Sequence, residues 1–527
     1  MIILSASESR ELDRLSQTVY GIPSYTLMRR AGEAVADAVM REFGEAARDG
    51  VIVIAGKGNN GGDGLVAARK LFTSGISTRV VLLARAGNLK GDAARAYADL
   101  IGLSGQAQSM AIDEALDEAS AAAAVNRQPF GVAIDAIFGT GLNAEVRGAA
   151  AAAIDVLNTS GKPVVAIDIA SGLDSDTGAV MGVAVKTALT VTFGYAKYGH
   201  LSYPGAEQTG ALQIADIGFA AEAMRQLAPR GRYVERAEAA PVVPRRVPNT
   251  HKGVYGHPLI IAGSRGKAGA ALIASRGALR MGAGLVTTAI PQEVAAIVAS
   301  GQIELMTEPL PDRDGHCAGA AATERLVGLI KGKDAIVIGP GLGLSPETIE
   351  LLRWAVYDSQ PDRPMLIDAD GLNAIAECGT NILKAARGPI VLTPHPGEMA
   401  RLLGISSADV NSNRIGAARR LMEMTGAVVL LKGARSVIAA PDGKVIINSS
   451  GNAGMATPGM GDVLSGMVGA LLGQKMAPAK ALMLGVYIHG YAADRLAQRM
   501  GPYGFLAGDL ADELPATVAD LLAAEAV

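Results

Sequence analysis

Short runs of consecutive apolar residues, many of them β-branched, alternate with alanine-rich stretches along most of this chain. That alternation restricts its fold more than any other feature. In the first half Val51–Ala55, Arg79–Ala84, Val132–Ala136 and Val164–Asp168 read as strands, with Gly64–Ser74 and Ala93–Leu103 as helices between them. A strand that is apolar on both faces must be covered on both faces. The pattern therefore predicts an α/β fold with a parallel sheet between two helical layers. Alternation lapses in Ala228–Pro248, where Pro229, Pro241, Pro244 and Pro248 are interspersed with arginines. Proline removes backbone donors and resists helix continuation. For a chain of 527 residues we expect a first domain at 1–228 and a second at 229–527, with 229–250 connecting them. An ordered arm packed on the second domain is the other reading of the same prolines.

Alternation then resumes. Pro258–Ala262, Leu285–Ile290, Ala335–Ile338, Met365–Ile367, Ile390–Thr393 and Val428–Leu431 read as strands, with Ala270–Met281 and Arg414–Met424 among the helices. Ser436–Ala440 and Val445–Asn448 flank Pro441-Asp442-Gly443, a hairpin signal. Helices run from Asp462 to Met500, and the broad apolar stretch Ala477–Leu496 suggests either core or the contacts of a homo-oligomer. At the start, Ser5 or Ser7 precedes a glutamate-rich turn and is placed to cap a helix.

Aromatic residues make up only 4% of a chain that is 49% hydrophobic, so small and branched aliphatics must fill the cores. A net charge of −3 recommends neither nucleic acid nor an anionic membrane as partner. Cys317 and Cys378 lie far apart without a ligand cluster, which argues against zinc and fits a reducing compartment. Early charges disfavour a secretory signal. No apolar run reaches the roughly 18 residues of a spanning helix, so a cytoplasmic location is expected.

Two glycine-rich loops, each closing on an aspartate, carry the chemistry. The first runs Gly56-Lys57-Gly58-Asn59-Asn60-Gly61-Gly62-Asp63-Gly64 after an apolar strand. Two further strands of that half end in Asp135, followed by Gly139-Thr140-Gly141, and in Asp168, followed by Ser171. Ligands bind beyond the carboxyl ends of parallel strands, so these clusters should meet at one edge. Backbone N–H groups there suit phosphate. Asn60, Asp135 and Ser171 offer hard oxygen ligands. Asp168 is a candidate acid/base group or a hydroxyl acceptor. An aspartate in such a place also caps helices, and a glycine-rich turn alone is weak evidence.

The second loop, Gly459-Met460-Gly461-Asp462, is expected to open an amphipathic helix. It can form an anion hole with Asp462, one residue inside, as base; phosphoryl transfer needs these parts. Lys432 and Gly433 form another strand-end turn suited to nucleotide. Thr393-Pro394-His395-Pro396-Gly397-Glu398 is a third such cluster, in which Glu398 could orient magnesium through water.

GKGNNGGDG, DAIFGTGLN and DIASGLDSDTG resemble the YjeF N-terminal family of NAD(P)H-hydrate epimerases, over about residues 1–220. The resemblance implies a Rossmann-like domain that interconverts the R and S forms of hydrated NADH and NADPH. It implies hydrate binding by Asn59, Asn60, Gly61, Gly62 and Asp63, by Gly139, Thr140, Gly141, Leu142, Asn143, Ala144 and Glu145, and by Asp168. It implies potassium held by Asn60, Asp135 and Ser171. Ala170 stands where that family usually has proline. Asp168 is then the candidate for proton transfer at nicotinamide C6, its ionisation set by burial against a neighbouring cation.

AGSRGKAGAALIASRGALRMGAGLVTTA, GPGLG, TPHPGE, LKGARSVIA and GNAGMATPGMGDVLSG resemble the ADP/ATP-dependent NAD(P)H-hydrate dehydratases of the ribokinase-like superfamily, over about residues 245–500. That implies a hydrate site lined by Ala270, Gly341, His395 and Asp462. It implies adenine nucleotide held by Lys432, Gly433, Ala434, Arg435, Ser436 and Gly461. ADP is characteristic of bacterial members, and the residues do not choose between ADP and ATP. Met460, Ser449-Ser450 and Lys267 depart from the family's usual threonine, proline-threonine and aromatic residue. Together the halves imply an isomerase fused to a lyase. A small-molecule kinase with a regulatory N-terminal half, or a non-catalytic nucleotide-binding N-terminal half, are the competing readings.

Overall fold

The computed structural model describes residues 1–105, 110–358 and 363–524. They fall into two compact units, one comprising Ile2–Gly231 and the other Met1 with the chain from Arg232 onward.

The first unit holds strands β1 (Ile2–Leu4), β2 (Val51–Ala55), β3 (Thr78–Leu82), β4 (Ala111–Glu114), β5 (Val132–Ala136), β6 (Val164–Ile167), β7 (Leu189–Phe193), β8 (Ala196–Lys197) and β9 (Ala211–Ala215). Seven of them form a parallel sheet in the order β4-β3-β2-β5-β6-β7-β9, while β1 pairs with β8. Val51, Val53 and Ala55 enter the core on one face and Ile52 and Ile54 the core on the other. This is the two-sided burial that the unbroken apolar run requires. The edge strands β4 and β9 are largely exposed, and so lack the apolar run that marks the others. The opening helix, Ala6–Thr18, is capped by Ser5, which exchanges side-chain and backbone bonds with Glu8.

The second unit holds β10 (Gly231–Val234), β11 (Pro258–Ile261), β12 (Thr287–Pro291), β13 (Met306–Leu310), β14 (Asp312–Arg313), β15 (His316–Cys317), β16 (Ala335–Ile338), β17 (Met365–Ile367), β18 (Ile390–Leu392), β19 (Val428–Leu431), β20 (Val437–Ala439) and β21 (Val445–Asn448). Its sheet runs β13-β12-β11-β16-β17-β18-β19-β20-β21, parallel as far as β19, and β14 and β15 form a separate hairpin. The hairpin read around Pro441-Asp442-Gly443 is β20 and β21, joined antiparallel to each other and to β19. The proline-rich stretch is ordered. It forms β10 beside β21 and the helical turn Arg236–Ala239, and Val234, Ala239, Ala240 and Val243 lie in the core of this unit.

The helix after the second glycine loop, Met460–Gly473, differs from the expected amphipathic one. It is buried on almost every side, because it lies inside the unit and not upon it. Gly466 lets it approach Ala274, where a Cβ would lie 1.8 Å from the carbonyl oxygen, and Gly277 meets Val463 in the same way. The helix Pro478–Met500 buries Leu482, Ile488 and Leu496 in this core, and a further helix, Ala507–Ala524, covers it. Among the described residues no helix is long and apolar enough to cross a membrane.

Candidate active sites

In each sheet the strand order reverses at one point, between β2 and β5 in the first unit and between β11 and β16 in the second. A crevice opens at the carboxyl ends of strands where such a reversal occurs. The Gly56–Gly64 and Gly139–Gly141 loops leave the strands at the first of these points, and the turns that carry Ala270 and Gly341 at the second.

In the first unit the turn after β2 and the turn after β5 border a cavity of about 510 Å³. Its walls include Asn59, Asn60, Asp63, Gly139, Thr140, Gly141, Leu142 and Asp168. The glycine loop is itself the first turn of the helix, which begins at Asn59 and not at Gly64. Gly61 and Gly62 are buried: a Cβ on Gly61 would stand 1.9 Å from the Gly56 carbonyl oxygen, and one on Gly62 would strike Met28. These two glycines serve the packing of the turn, and the cavity wall is formed by their neighbours. Asn143, Ala144 and Glu145 are exposed and outside the cavity lining, and Glu145 pairs with Arg147.

Asp135 and Ser171 meet behind the cavity. The Ser171 hydroxyl donates to Asp135 Oδ1 at 2.6 Å, and its backbone N–H donates to Oδ2 at 2.8 Å. Burial pushes the Asp135 carboxyl up to about 6, against these bonds and the Ile137 N–H. Asn60 is also buried, close against Gly139, and its side-chain nitrogen has no partner.

Asp168 sits immediately after β6 with φ 64°, in the left-handed region. Its Oδ1 accepts from the Lys197 ammonium at 2.6 Å and from the Thr192 hydroxyl at 3.0 Å. His200 Nδ1 accepts from the Lys197 N–H at 3.0 Å, so its Nε2 carries the proton and donates to the Asp168 carbonyl at 2.9 Å. Burial and Lys197 push His200 down to about 4, which keeps it neutral. Burial alone would raise the Asp168 carboxyl; Lys197, with the Thr192 hydroxyl, outweighs it and holds the group below its ordinary value. Asp63 moves the other way, raised well above the ordinary range by burial and by Asp168, Asp13 and Asp92. Asp13, on the opening helix, is pushed up to about 6 by burial and Asp168. Sequence reading missed Lys197, Thr192, His200 and Asp13. A lysine inside the apolar run from Val191 to Tyr198 was the available signal.

In the second unit the turns after β11 and β16 touch. Gly341, at φ 63°, faces Ala270 so closely that a Cβ would lie 2.8 Å from the Ala270 Cβ. The Ser264 hydroxyl donates to the Gly341 carbonyl at 2.7 Å. Lys267 pairs with Asp370 at 3.0 Å, and Asp370 also accepts from the Gly343 N–H.

Gly459 is the helix N-cap in the left-handed conformation, so Asp462 is the third helical residue and lies deeper than the sequence suggests. His489 bonds to the Met460 carbonyl at 3.0 Å and fixes this turn. The first N–H groups of a helix have no partner within it. Gly461 faces Lys432: a Cβ on it would lie 3.4 Å from Nζ. Burial and then Asp368 push the Asp462 carboxyl up to about 7, while Lys432 opposes them. Lys432 cannot lower it further, because its ammonium bonds to Asp368 at 2.6 Å and stands 4.0 Å from Glu398. Asp368 also accepts from Ser465 at 2.6 Å. Asp368 was missed although it ends a strand in the same way as Asp168.

His395 caps the helix Pro396–Leu403, its Nδ1 accepting from the Gly397 N–H, while its own N–H donates to Glu398 at 2.8 Å. Glu398 is buried and its carboxyl is raised, chiefly by burial. In the turn Lys432–Ser436, Gly433 has φ 134° and Arg435 φ 52°, and the Ser436 hydroxyl donates to the Gly433 carbonyl. Beneath it the buried Arg414 donates to the Lys432 carbonyl at 3.1 Å. The structure thus brings Asp462, Gly461, Lys432, Glu398 and His395 to one edge, beside the Ala270–Gly341 contact.

Residues 24–199 match the family described as the YjeF-related protein N-terminus, and residues 258–516 match NAD(P)H-hydrate dehydratase. A bifunctional NAD(P)H-hydrate repair enzyme of Moorella thermoacetica is 41% identical over 529 residues, spanning 99% of this chain and 97% of that one. Its counterpart from Thermofilum pendens is 38% identical, spanning 98% and 96%. The crystal structure of an ADP/ATP-dependent NAD(P)H-hydrate dehydratase from Bacillus subtilis is 29% identical, with 55% of this chain and 98% of that one covered and a TM-score of 0.47. Two sites at two strand-order reversals, in a chain that aligns end to end with such relatives, lead to one conclusion: it belongs to the family of bifunctional NAD(P)H-hydrate repair enzymes.

Proposed function

We propose that this chain repairs hydrated NADH and NADPH in two steps, epimerising the R and S hydrates in the first unit and dehydrating the S form in the second. The observation that carries this reading is a pair of strand-end clusters, each built around a partly buried aspartate: Asp168 bonded directly to Lys197, and Asp462 beside the Lys432–Asp368 pair. Asp168, held ionised, accepts a proton from the hydrate at nicotinamide C6. The cavity walls Asn59, Asn60, Asp63 and Gly139–Leu142 hold the substrate.

Asn60, Asp135 and Ser171 fit a potassium ion. Asp135 supplies a fully buried carboxylate whose described partners are N–H and O–H donors, Ser171 the hydroxyl bonded to it, and Asn60 a buried side-chain amide oxygen. Potassium there supplies the positive charge that Asp135 lacks.

In the second unit Asp462 takes the proton of the C6 hydroxyl as that oxygen attacks the terminal phosphorus of an adenine nucleotide. The N–H groups at the helix start hold the phosphoryl oxygens. A carboxyl near 7 is matched to that task at neutral pH. The C6–O bond then breaks, phosphate leaves with its electron pair, a proton is released from C5, and the electrons of that C–H bond restore the C5–C6 double bond of the reduced nicotinamide. With ADP the other product is AMP. Lys432–Ser436 and Gly461 contact the nucleotide, and Ala270, Gly341 and His395 line the hydrate site. Glu398, which accepts from the His395 backbone N–H through one carboxylate oxygen, would orient a magnesium ion through water, and the ion would supply positive charge to the phosphates. The unbridged Cys317 and Cys378 support a reducing, cytosolic setting.

The test supplies mixed R and S NADH hydrate with ADP and magnesium and follows the return of reduced-nicotinamide absorbance. Full recovery is expected. Recovery of the S fraction alone would leave the first unit without its activity. No recovery with ADP or ATP would overturn the assignment, and a stable phosphorylated product would mark a small-molecule kinase.

A further inference from the structure

The Lys197 side chain is 4% exposed, yet its ammonium lies at the edge of the cavity of the first unit. A lysine is rarely buried to this extent without a partner that requires it. Here the ammonium bonds to Asp168 Oδ1 at 2.6 Å and to the Thr192 hydroxyl at 2.8 Å. Thr192 in turn donates to the same Asp168 oxygen at 3.0 Å, which closes a three-membered ring of contacts. The backbone joins in: His200 links the Lys197 N–H to the Asp168 carbonyl. Asp168 is thereby gripped at both ends while it holds a left-handed conformation, one that costs a non-glycine residue on the order of 1 kcal/mol or more. Such a grip is more than a fold needs at a strand end.

The groups that face Asp168 explain what the grip does. Lys197 and His200 approach from β8 and the turn after it, Asp13 from the opening helix, and Asp63 from the helix of the glycine loop, with Asp92 beyond. His200 is neutral, and of the cationic residues that line the cavity, Arg10, Lys57 and Lys197, it is Lys197 that bonds to Asp168. Like charges so close cannot all ionise. The cation decides which of them does, and it touches Asp168.

We propose that Lys197 is the positioning residue of the epimerase site: through its bond to Oδ1 it keeps Asp168 the ionised carboxylate and aims it into the cavity, leaving Asp63 as the carboxyl that carries a proton. This rests on the reading of Asp168 as the proton acceptor. Two carboxyls with opposite protonation form an acid/base pair, the arrangement that proton transfer in both directions at one carbon substituent requires.

The experiment uses the full chain with nucleotide omitted and follows R-to-S exchange of NADH hydrate by chromatography across pH. Far-UV circular dichroism and the thermal unfolding profile, compared with wild type, report that the first unit of each variant is folded. Lys197→Met should lower the epimerase kcat by about 10²-fold at neutral pH with little change in KM. Its acidic limb should move up by roughly one pH unit or more, because Asp168 loses the cation that holds it ionised. Lys197→Arg, which retains the charge, should return the limb toward its wild-type position. Wild-type rate and limb in Lys197→Met would overturn the proposal. So would a loss equal at every pH with no recovery of the limb by arginine. Asp168→Asn with wild-type rates would instead overturn the reading of Asp168 itself.

Discussion

Asp168 and Asp462 are both partly buried aspartates of a site at the carboxyl edge of a sheet, and each has a lysine nearby. Their carboxyls are displaced in opposite directions, Asp168 below its ordinary value and Asp462 up to about 7. Burial is the largest influence on both and raises both. The lysine makes the difference. Lys197 bonds directly to Asp168, whereas Lys432 is bonded to Asp368, which is itself an anion beside Asp462. A cation already paired is worth little to a third group, and its partner's charge works against that group. The ionisation of these partly buried carboxyls thus follows from the contacts made by the neighbouring lysine, and proximity to one does not determine it.

The comparison can be broken most directly at the bases. Asp462→Asn should lower dehydration by about 10²- to 10⁴-fold while epimer exchange persists. Parallel assays of the two steps would check it, and equal loss in both would show that the sites are not separable. The two glycine loops differ as well. Gly61→Ala forces a Cβ against the Gly56 carbonyl at 1.9 Å and should cost about 1–3 kcal/mol of stability, read as a lower unfolding midpoint. Gly461→Ala meets only Lys432 at 3.4 Å and Asp368 at 3.9 Å. It should leave the midpoint unchanged and raise the KM for nucleotide.

Protonation gives the next test. Asp462 must be ionised to act as base, so dehydration kcat/KM should fall about tenfold per pH unit below about 7, and level off above it. Epimer exchange should stay flat across that range, since Asp168 remains ionised well below it. The smallest effect sharpens the explanation. Asp368→Asn removes a charge that raises Asp462 and releases Lys432 to face it. Both changes have the same sign, so the acidic limb of dehydration should move down by roughly one unit. An unmoved limb would show that Lys432 is not the controlling cation.

Much of the architecture was legible because apolar runs and strand-end polar clusters are local signals. Val132–Ala136, Ala335–Ile338, Met365–Ile367 and Val428–Leu431 lie where the residues alone put them. The edge strands β4, β9 and β13 were not, since exposure removes their two-sided apolar pattern. At the sites, Asp135, Asp168, Asp462 and Lys432 stood out beside glycine-rich turns. Lys197 and Asp13 carry no such punctuation, and Lys197 lies 29 residues from the aspartate it controls; Asp368 ends a strand as Asp168 does and was overlooked.

By itself the sequence determined two α/β units, the loops at their strand ends, the residue types available there and the family to which they belong. Those properties depend on periodicity and on glycine, proline and aspartate spacing, which neighbours along the chain suffice to express. Only the tertiary structure decided which glycines open a wall and which pack a turn, whether the second helix is half-buried or enclosed, and which aspartate keeps its charge. Each of these depends on atoms brought within a few ångströms by strand order, and charge in a poorly solvated interior is settled at that range.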